Sequence, residues 1–217
     1  WSICVDNKIP FVYASSAATY GDAGFGYLDD HKIINRLDPL NLYGLSKHMF
    51  DKWVLSQHNS PPFWAGLKFF NVYGPNEYHK YRMTSVIYTA YKSILSKGSM
   101  KLFRSHDTDY RDGEQMRDFI YVKDVVDIIY YIMNNNVESA IYNVGTGNPR
   151  SFNDLVRSVA YSMKKQCLIS FVDIPQDIRK NYQYYTKANI DKLRVNGYSN
   201  SFYSLELGIE DYIVNYL

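Results

Sequence analysis

Residues 64–75 read WAGLKFFNVYGP, an apolar run that Gly74 and Pro75 bring to an end. An apolar run bounded by turn residues is typical of a buried strand. The same pattern occurs earlier, in IPFVYASS at residues 9–16, and later, in SAIYNVGTG at residues 139–147. The three segments therefore predict three buried strands.

Helical patterns lie between and after these strands. Residues 45–58, LSKHMFDKWVLSQH, have apolar side chains at helical spacing, and the SPP that follows ends the pattern. Residues 85–98, 151–166 and 204–217 show the same periodicity. Because strands alternate with helices along the chain, we predict an α/β fold with a largely parallel sheet.

Composition limits the classes of protein and of partner. The chain has 217 residues, of which 46% are hydrophobic, and a net charge of only +2 with acids and bases interleaved. These values predict a folded chain of one or two domains that binds neither nucleic acid nor membrane. Cys4 and Cys167 lie far apart without metal-ligand spacing, which predicts no metal site and a reducing, cytoplasmic location.

Tyr43 and Lys47 stand four residues apart at the beginning of a predicted helix. A cation one turn away favours the phenolate and lowers the pKa of a phenol from its usual value near 10. Such a Tyr can transfer a proton while a hydride leaves the same carbon, and the Lys can bind the ribose of a nicotinamide nucleotide. Ser16 ends a predicted strand, where α/β sheets place their ligands. Packing stays the alternative for any single Tyr, since the chain has 22 of them.

The segments YASSAATYG at residues 13–21 and YGLSK at residues 43–47 resemble the extended short-chain dehydrogenase/reductase family. That family modifies nucleotide sugars on a Rossmann-like doubly wound parallel sheet with a small discontinuous substrate domain. The resemblance implies a triad of Ser16, Tyr43 and Lys47. Ser16 would bond the reacting oxygen, Tyr43 would transfer the proton, and Lys47 would hold the cofactor ribose and tune Tyr43.

The segment EYHK at residues 77–80 resembles the branch of this family that epimerises ADP-linked heptoses. Further matches run through RDFIYVKDV, YNVGTG and NYQYYTKANIDKLRVNGY to the end of the chain. The resemblance implies an isomerase that inverts C6 of ADP-D-glycero-β-D-manno-heptose with bound NADP, in lipopolysaccharide core heptose biosynthesis. It also implies a homo-oligomer, typically a pentamer.

Inversion by oxidation and reduction requires one acid/base group on each face of the carbon. The resemblance implies that Tyr43 serves one face and that Lys80, which also contacts the cofactor, serves the other. An amine in this role is expected to be partly desolvated, so that its pKa falls. The alternative is an exposed turn lysine.

The resemblance implies further contacts. Asn71 would bind substrate, and Val72 would contact the cofactor through its backbone. The substrate nucleotide would lie against residues 103–106, which are Phe103, Arg104, Ser105 and His106. Tyr182 would contact substrate, and Arg117 would bind a phosphate through its planar fork of donors, unless it forms an ordinary surface ion pair with Asp118.

Two substrate positions depart from the family pattern. Arg82 stands where the family has Ser, and Thr89 stands where it has His. Both are retained as substrate positions, although they put the detailed fit of the sugar in doubt.

The Gly-rich turn that holds the pyrophosphate of a dinucleotide is not found in the sequence. GTGNPR at residues 145–150 follows a late strand and has a different spacing. The chain also begins without Met, almost directly in a strand. We therefore expect an N-terminally truncated chain that binds NADP weakly or not at all, and that can be inactive by itself.

The expected domains are a remaining NADP-binding part at residues 1–70 and 118–146, and a substrate-binding part at residues 71–117 and 147–217. Two alternatives stay open for the function. One is another nucleotide-sugar epimerase or dehydratase, although dehydratases carry an Asp-Glu pair where this chain has Ala17 and Ala18. The other is a non-catalytic module that binds sugar nucleotides.

Overall fold

A computed structural model describes residues 1–217, apart from the side chain of Arg82. The strands are β1 (Phe11–Ser16), β2 (Trp64–Phe69), β3 (Asn71–Tyr73), β4 (Ser99–Phe103), β5 (Met116–Arg117), β6 (Phe119–Tyr121), β7 (Ala140–Val144), β8 (Arg150–Ser151) and β9 (Leu168–Val172). The helices are α1 (Ser2–Asp6), α2 (His31–Ile34), α3 (Leu42–Leu55), α4 (Val86–Lys97), α5 (Val122–Asn134), α6 (Phe152–Ser162), α7 (Gln176–Arg179), α8 (Asp191–Val195) and α9 (Leu205–Tyr216), with 3₁₀ helices at Ala17–Tyr20 and Tyr78–Met83. Within the described part of the chain, none of the helices combines the length and the apolar character that a membrane span needs.

The chain forms two compact units. Unit 1 consists of residues 1–70, 126–147 and 188–200, and unit 2 of residues 71–125, 148–187 and 201–217. The sequence predicts residues 118–125 in the NADP-binding part and residues 188–200 in the substrate-binding part. In the structure, residues 118–125 belong to unit 2, because β6 pairs with β3. Residues 188–200 belong to unit 1, because Asn189 and Lys192 bond to residues of that unit.

Unit 1 is built on a parallel sheet of order β1-β2-β7, which confirms the three predicted strands. Strands β2 and β7 are buried as predicted, whereas β1 lies at the edge of this sheet and is mostly half-buried, with Ala14 exposed. Ser16 pairs with Phe69, and Phe69 pairs with Val144, so the carboxyl ends of the three strands lie side by side. Aromatic and aliphatic side chains, including Tyr20, Trp64 and Ile141, form the core against this sheet.

The predicted strand at residues 64–73 is two strands, β2 and β3, which belong to different sheets. The break falls at Phe70, whose N–H donates to Val144 O, whereas the N–H of the next residue, Asn71, donates to Asp118 O. The backbone therefore changes its pairing partner from β7 to β6 within one residue. Periodicity could not show this, because the sequence runs from β2 into β3 with no turn residue between them.

Unit 2 contains three two-stranded pairs: parallel β3-β6, parallel β4-β9 and antiparallel β5-β8. Its helices α4, α6 and α9 bury aliphatic and aromatic side chains, such as Ile87, Leu155 and Tyr212, in one core. Ser151 begins α6 with a capping box, since its hydroxyl accepts from the Asp154 N–H and the Asp154 carboxylate accepts from the Ser151 N–H. The predicted helices at 85–98, 151–166 and 204–217 are confirmed as α4, α6 and α9.

Candidate active site

Helix α3 carries both Tyr43 and Lys47 in unit 1. The N-cap of α3 is Asn41, whose side chain accepts a hydrogen bond from the Gly44 N–H at 2.8 Å and so caps the first turn. The Lys47 Nζ lies 5.9 Å from the centre of the Tyr43 ring and donates to the Ala14 carbonyl of β1 at 2.9 Å. The Tyr43 side chain is exposed, at 58%. The phenol is thus open to a ligand, and its neighbouring ammonium is held against the sheet.

Ser16 lies at the carboxyl end of β1 and begins the 3₁₀ helix Ala17–Tyr20. Its hydroxyl accepts from the Ala18 N–H at 3.1 Å. The start of α3 packs directly on this turn, because a Cβ added to Gly44 would lie 2.6 Å from the Ala18 carbonyl oxygen. Only glycine allows so close an approach at this position, so the structure brings the segments of the three predicted triad residues together.

Asp51 lies one turn after Lys47 on the same face of α3, and it is fully buried. Its carboxylate accepts hydrogen bonds from Tyr13 Oη at 3.0 Å and Ser15 Oγ at 2.8 Å, both in β1. It also forms an ion pair of 2.7 Å with the Lys68 ammonium of β2, which is equally buried. The helix is thereby bound to two strands of the sheet through one carboxylate.

The Lys68 ammonium contacts a second segment as well. It donates to Thr19 Oγ1, and that hydroxyl donates to the Ser16 carbonyl at 2.8 Å. The ammonium also lies 4.9 Å from the centre of the Tyr20 ring. Burial lowers the pKa of Lys68, and the Asp51 carboxylate opposes this shift by favouring the charged form. Burial, together with Asp51, raises the pKa of Tyr13, which keeps this phenol protonated.

Unit 2 contains a cavity of about 270 Å³ with a mainly apolar lining. Four of the predicted substrate residues line it: Thr89, Phe103, Arg117 and Tyr182. The other lining residues are Val86, Met100, Lys101, Leu102 and Phe152. Apolar walls with two cationic side chains, Lys101 and Arg117, suit a flat heterocycle that carries phosphate.

Arg117 is buried in this cavity wall rather than on the surface. Its guanidinium lies 5.6 Å from the centre of the Phe152 ring and 5.3 Å from that of Tyr182, and it donates to the carbonyls of Met116 and Gln183. Burial raises the pKa of Tyr182, and the Arg117 cation opposes this shift. The guanidinium is therefore held in a fixed orientation by aromatic faces and backbone oxygens.

Residues 104–106 do not line the cavity. The Arg104 guanidinium lies 3.6 Å from Asp112 and 3.4 Å from Asp173. The Ser105 N–H donates to Asp112 at 2.8 Å, and the His106 Nε2 lies 3.7 Å from Asp173. The Arg104 and His106 side chains thus lie beside Asp173, which follows β9, and the Ser105 hydroxyl donates to Asp107 O, while Phe103 alone of the four lines the cavity.

The remaining predicted residues lie elsewhere in unit 2. Asn71 and Val72 form β3, where Val72 pairs with Ile120. Lys80 lies in the 3₁₀ helix Tyr78–Met83 and is exposed, so the partial burial expected for this amine is not found, because the turn faces outward. The Arg82 side chain lies outside what the structure describes.

The sequence does not predict Asp51, Lys68 or most of the apolar lining of the cavity. Lys68 offered a signal, since a charged residue inside an apolar strand requires a buried partner. Asp51 offered another, because it follows Tyr43 and Lys47 at intervals of four on one helical face. The cavity lining comes from α4, β4, β5, α6 and the loop that contains Tyr182, which are far apart in sequence, and no local pattern joins them.

The comparisons with known proteins extend over the whole chain. Residues 1–145 match the NAD dependent epimerase/dehydratase family. The chain is 48% identical to a protein of Fusobacterium nucleatum over all of its own length and 68% of that relative. The chain belongs to this family.

The relative from Fusobacterium nucleatum is named ADP-L-glycero-D-manno-heptose-6-epimerase. A protein of Nitratidesulfovibrio vulgaris with the same name is 47% identical over 99% of this chain and 66% of its own length. The crystal structure of the Helicobacter pylori enzyme of that name superposes with a TM-score of 0.81 at 30% identity, covering 98% of this chain and 61% of that one. The family member described here thus spans about two thirds of the length of these relatives and has their Rossmann-like α/β fold.

Proposed function

We propose that this protein acts as an ADP-glyceromanno-heptose 6-epimerase, which converts the D-glycero form of the sugar to the L-glycero form with bound NADP. The observation that carries the proposal is the identity of 47–48% across essentially the whole chain with relatives of that name. The reaction would supply heptose for the lipopolysaccharide core, and the protein would work as a cytoplasmic homo-oligomer, a pentamer by resemblance.

The residues of unit 1 suit the nicotinamide ribose and the reacting hydroxyl. One of the three Lys47 donors goes to Ala14 O, and the ammonium lies beside an exposed phenol, so both groups can meet hydroxyls of a ligand. Bound NADP would supply the chemistry of hydride removal and return at C6. Tyr43 would take the hydroxyl proton, with the Lys47 ammonium beside its ring, and Ser16 would donate to the same oxygen.

Lys80 is proposed as the second acid/base group, for the opposite face of C6. Its amine is exposed, and its backbone N–H donates to Glu77 O at 3.0 Å within a short turn. Lys80 and Val72 are also proposed to contact the cofactor, and Asn71 and Arg82 to contact the sugar.

The cavity of unit 2 is proposed to hold the nucleotide part of the substrate. A heterocycle would fit between the apolar side chains, with Phe103 and Tyr182 in edge-to-face contact at 5.8 Å. The oriented Arg117 would bind a phosphate, with Thr89 at the cavity wall. Arg104, Ser105 and His106 would contact the nucleotide from their loop.

The test combines binding and turnover. Calorimetry with ADP should show binding that Arg117→Lys weakens about tenfold, because Lys loses the planar fork. Because this chain is expected to bind NADP weakly, the cofactor is raised until calorimetry shows saturation, and proton NMR should then show inversion at C6 of ADP-D-glycero-β-D-manno-heptose. Tyr43→Phe and Lys80→Met should each reduce this rate by about 10²- to 10⁴-fold. Undiminished turnover in both variants would contradict the assigned roles.

A second candidate is a non-catalytic module that binds sugar nucleotides. It is favoured by the cavity, because all of its lining residues belong to unit 2. ADP binding without inversion at C6, at NADP concentrations shown by calorimetry to be saturating, would select this candidate. Turnover of a UDP-linked hexose in place of the heptose would select another nucleotide-sugar epimerase of the same fold.

A further inference from the structure

The fully buried ion pair between Asp51 and Lys68 lies outside every role assigned above. Both side chains are completely inaccessible to solvent, and their charged atoms are 2.7 Å apart. Replacing a buried ion pair by apolar residues is often neutral or stabilising, so such a pair is weak evidence for a stability role. A role in orientation is therefore worth testing.

The contacts of the pair reach both segments of the proposed triad. On one side, Asp51 belongs to α3, at two and one turns from Tyr43 and Lys47. On the other side, Lys68 donates to Thr19, and Thr19 donates to the backbone carbonyl of Ser16. The chain of contacts thus runs from the helix that carries the phenol to the turn that carries the serine.

The sheet supplies a rigid base for this connection. Ser15 pairs with Lys68 in the register of β1 and β2, and the Ser15 hydroxyl donates to the same Asp51 oxygen that Lys68 contacts. The Tyr13 hydroxyl donates to the other oxygen at 3.0 Å. With both oxygens engaged, the carboxylate has little freedom to turn, and α3 cannot slide along the strands without breaking several bonds.

We propose that Asp51 and Lys68 are positioning residues, which fix the Ser16 turn and the Tyr43 helix relative to each other. This inference rests on the proposed function for its catalytic consequence. Its structural part, the coupling of the two segments, stands on the contacts alone. Neither residue is expected to touch substrate.

The catalytic consequence is a loss of kcat without a matching change in KM. A displacement of about 1 Å in a reacting group can reduce a rate about 10²-fold. Lys68→Met should therefore lower kcat by about 10- to 100-fold and leave KM within about twofold, and Lys68→Arg should restore most of kcat. A control is Lys192→Met, since Lys192 is bonded to Asp29 and Ile141 of the same unit. This control should keep kcat within about twofold per folded molecule.

Amide hydrogen exchange tests the coupling without any need for turnover. The Ala18 N–H reports the Ser16 turn, because it is bonded to Ser16 Oγ. Lys68→Met should speed exchange at Ala18 by about tenfold more than at Val144, whereas Lys192→Met should affect both amides equally. Asp51→Asn/Lys68→Met, which leaves no buried charge unpaired, should show the same selective effect if the single variant unfolds.

The two measurements separate the two proposals. Absence of turnover in the unchanged chain would count against the proposed function, and the exchange data would still decide the coupling. Equal acceleration at Ala18 and Val144 in the variants lacking Lys68 would overturn the positioning role. Loss of kcat in Lys68→Arg as large as in Lys68→Met would also contradict it.

Discussion

The two compact units each hold a proposed acid/base segment in place through a buried carboxylate, but the partners of the two carboxylates differ. In unit 1, Asp51 joins α3 to the sheet and is paired with the Lys68 ammonium. In unit 2, Glu77 joins the two ends of the segment that carries Lys80. Its partners are neutral: the N–H and hydroxyl of Ser85 and the hydroxyl of Tyr212.

This difference decides what is left behind when a carboxylate is removed. Loss of Asp51 leaves a buried cation without its counter-charge, whereas loss of Glu77 leaves neutral donors. An unpaired buried charge is far more unfavourable than an unpaired neutral donor. The two carboxylates have similar structural roles, but their removal is expected to lower the free energy of unfolding by different amounts.

The largest effect is expected for Asp51→Leu. It should lower the free energy of unfolding by about 3–5 kcal/mol, because Lys68 stays buried without a partner. Urea unfolding followed by tryptophan fluorescence measures this loss in unit 1, where all three tryptophans, Trp1, Trp53 and Trp64, lie. Asp51→Leu/Lys68→Met should recover most of it. A double variant as unstable as the single one would show that the cation is not the cause.

Glu77→Leu is expected to have a smaller effect, of about 2–3 kcal/mol. The variant loses hydrogen bonds to a charged acceptor, each of which contributes about 1.5–3 kcal/mol, but half-buried Ser85 can turn to water. Burial and the Glu77 carboxylate also raise the pKa of Tyr212, so this phenol stays a donor. Urea unfolding followed by circular dichroism, to which helices α4, α6 and α9 of unit 2 contribute, measures the change.

The matched control for Glu77 is Glu210→Leu, since Glu210 is exposed on α9 of the same unit. It should change the free energy of unfolding by at most about 0.5 kcal/mol. If Glu77→Leu were as mild as Glu210→Leu, the carboxylate would not hold the Lys80 segment, and the comparison with Asp51 would fail.

The N-caps of α3 and α6 extend the comparison of the two units to smaller changes in the free energy of unfolding. Asn41→Ala should cost about 1 kcal/mol, because the Gly44 N–H loses its acceptor, and Asn41→Asp should keep the cap. Ser151→Ala removes half of the capping box of α6 and should cost about as much. Urea unfolding detected by fluorescence measures the loss in the Asn41 variants, and urea unfolding detected by circular dichroism measures the loss in Ser151→Ala. A difference above about 1 kcal/mol between the two caps would show that the units differ in more than their buried carboxylates.

Local chemistry made part of the structure predictable. The alternation of strands and helices, and the caps at Ser151 and Gly98, follow from residues close in sequence. The break at Phe70 and the exchange of residues 118–125 and 188–200 between units depend on distant pairing, which no local pattern records. Among the site residues, Tyr43 and Lys47 were recognisable as an i, i+4 pair. Asp51 and Lys68 meet only when α3 packs on the sheet, so the buried ion pair could be suspected from Lys68 but not assigned.

The smallest effect is expected from pH, at the outer edge of β7. The His31 Nε2 accepts a hydrogen bond from the Ile141 N–H at 3.1 Å, which only a neutral imidazole can do. Burial, and then the Lys192 cation, lower the pKa of His31, with Asp30 and Glu138 opposing. Since the folded pKa lies below the unfolded value near 6.5, the stabilisation is complete above about pH 6.5. It is lost as the pH falls through the folded pKa.

The contribution of His48 to the pH dependence must be distinguished from that of His31, because burial also lowers the pKa of His48. The urea midpoint of the unchanged chain, detected by fluorescence, should be lower at pH 5 than at pH 7.5. This decrease should be smaller in His31→Gln and in His48→Gln. His58→Gln should behave like the unchanged chain, since His58 is exposed. Removal of the half-buried His31 or of the buried His48 should thus flatten the pH dependence of unit 1. If His31→Gln retained the full dependence, the imidazole would not be the neutral acceptor that covers the edge of β7.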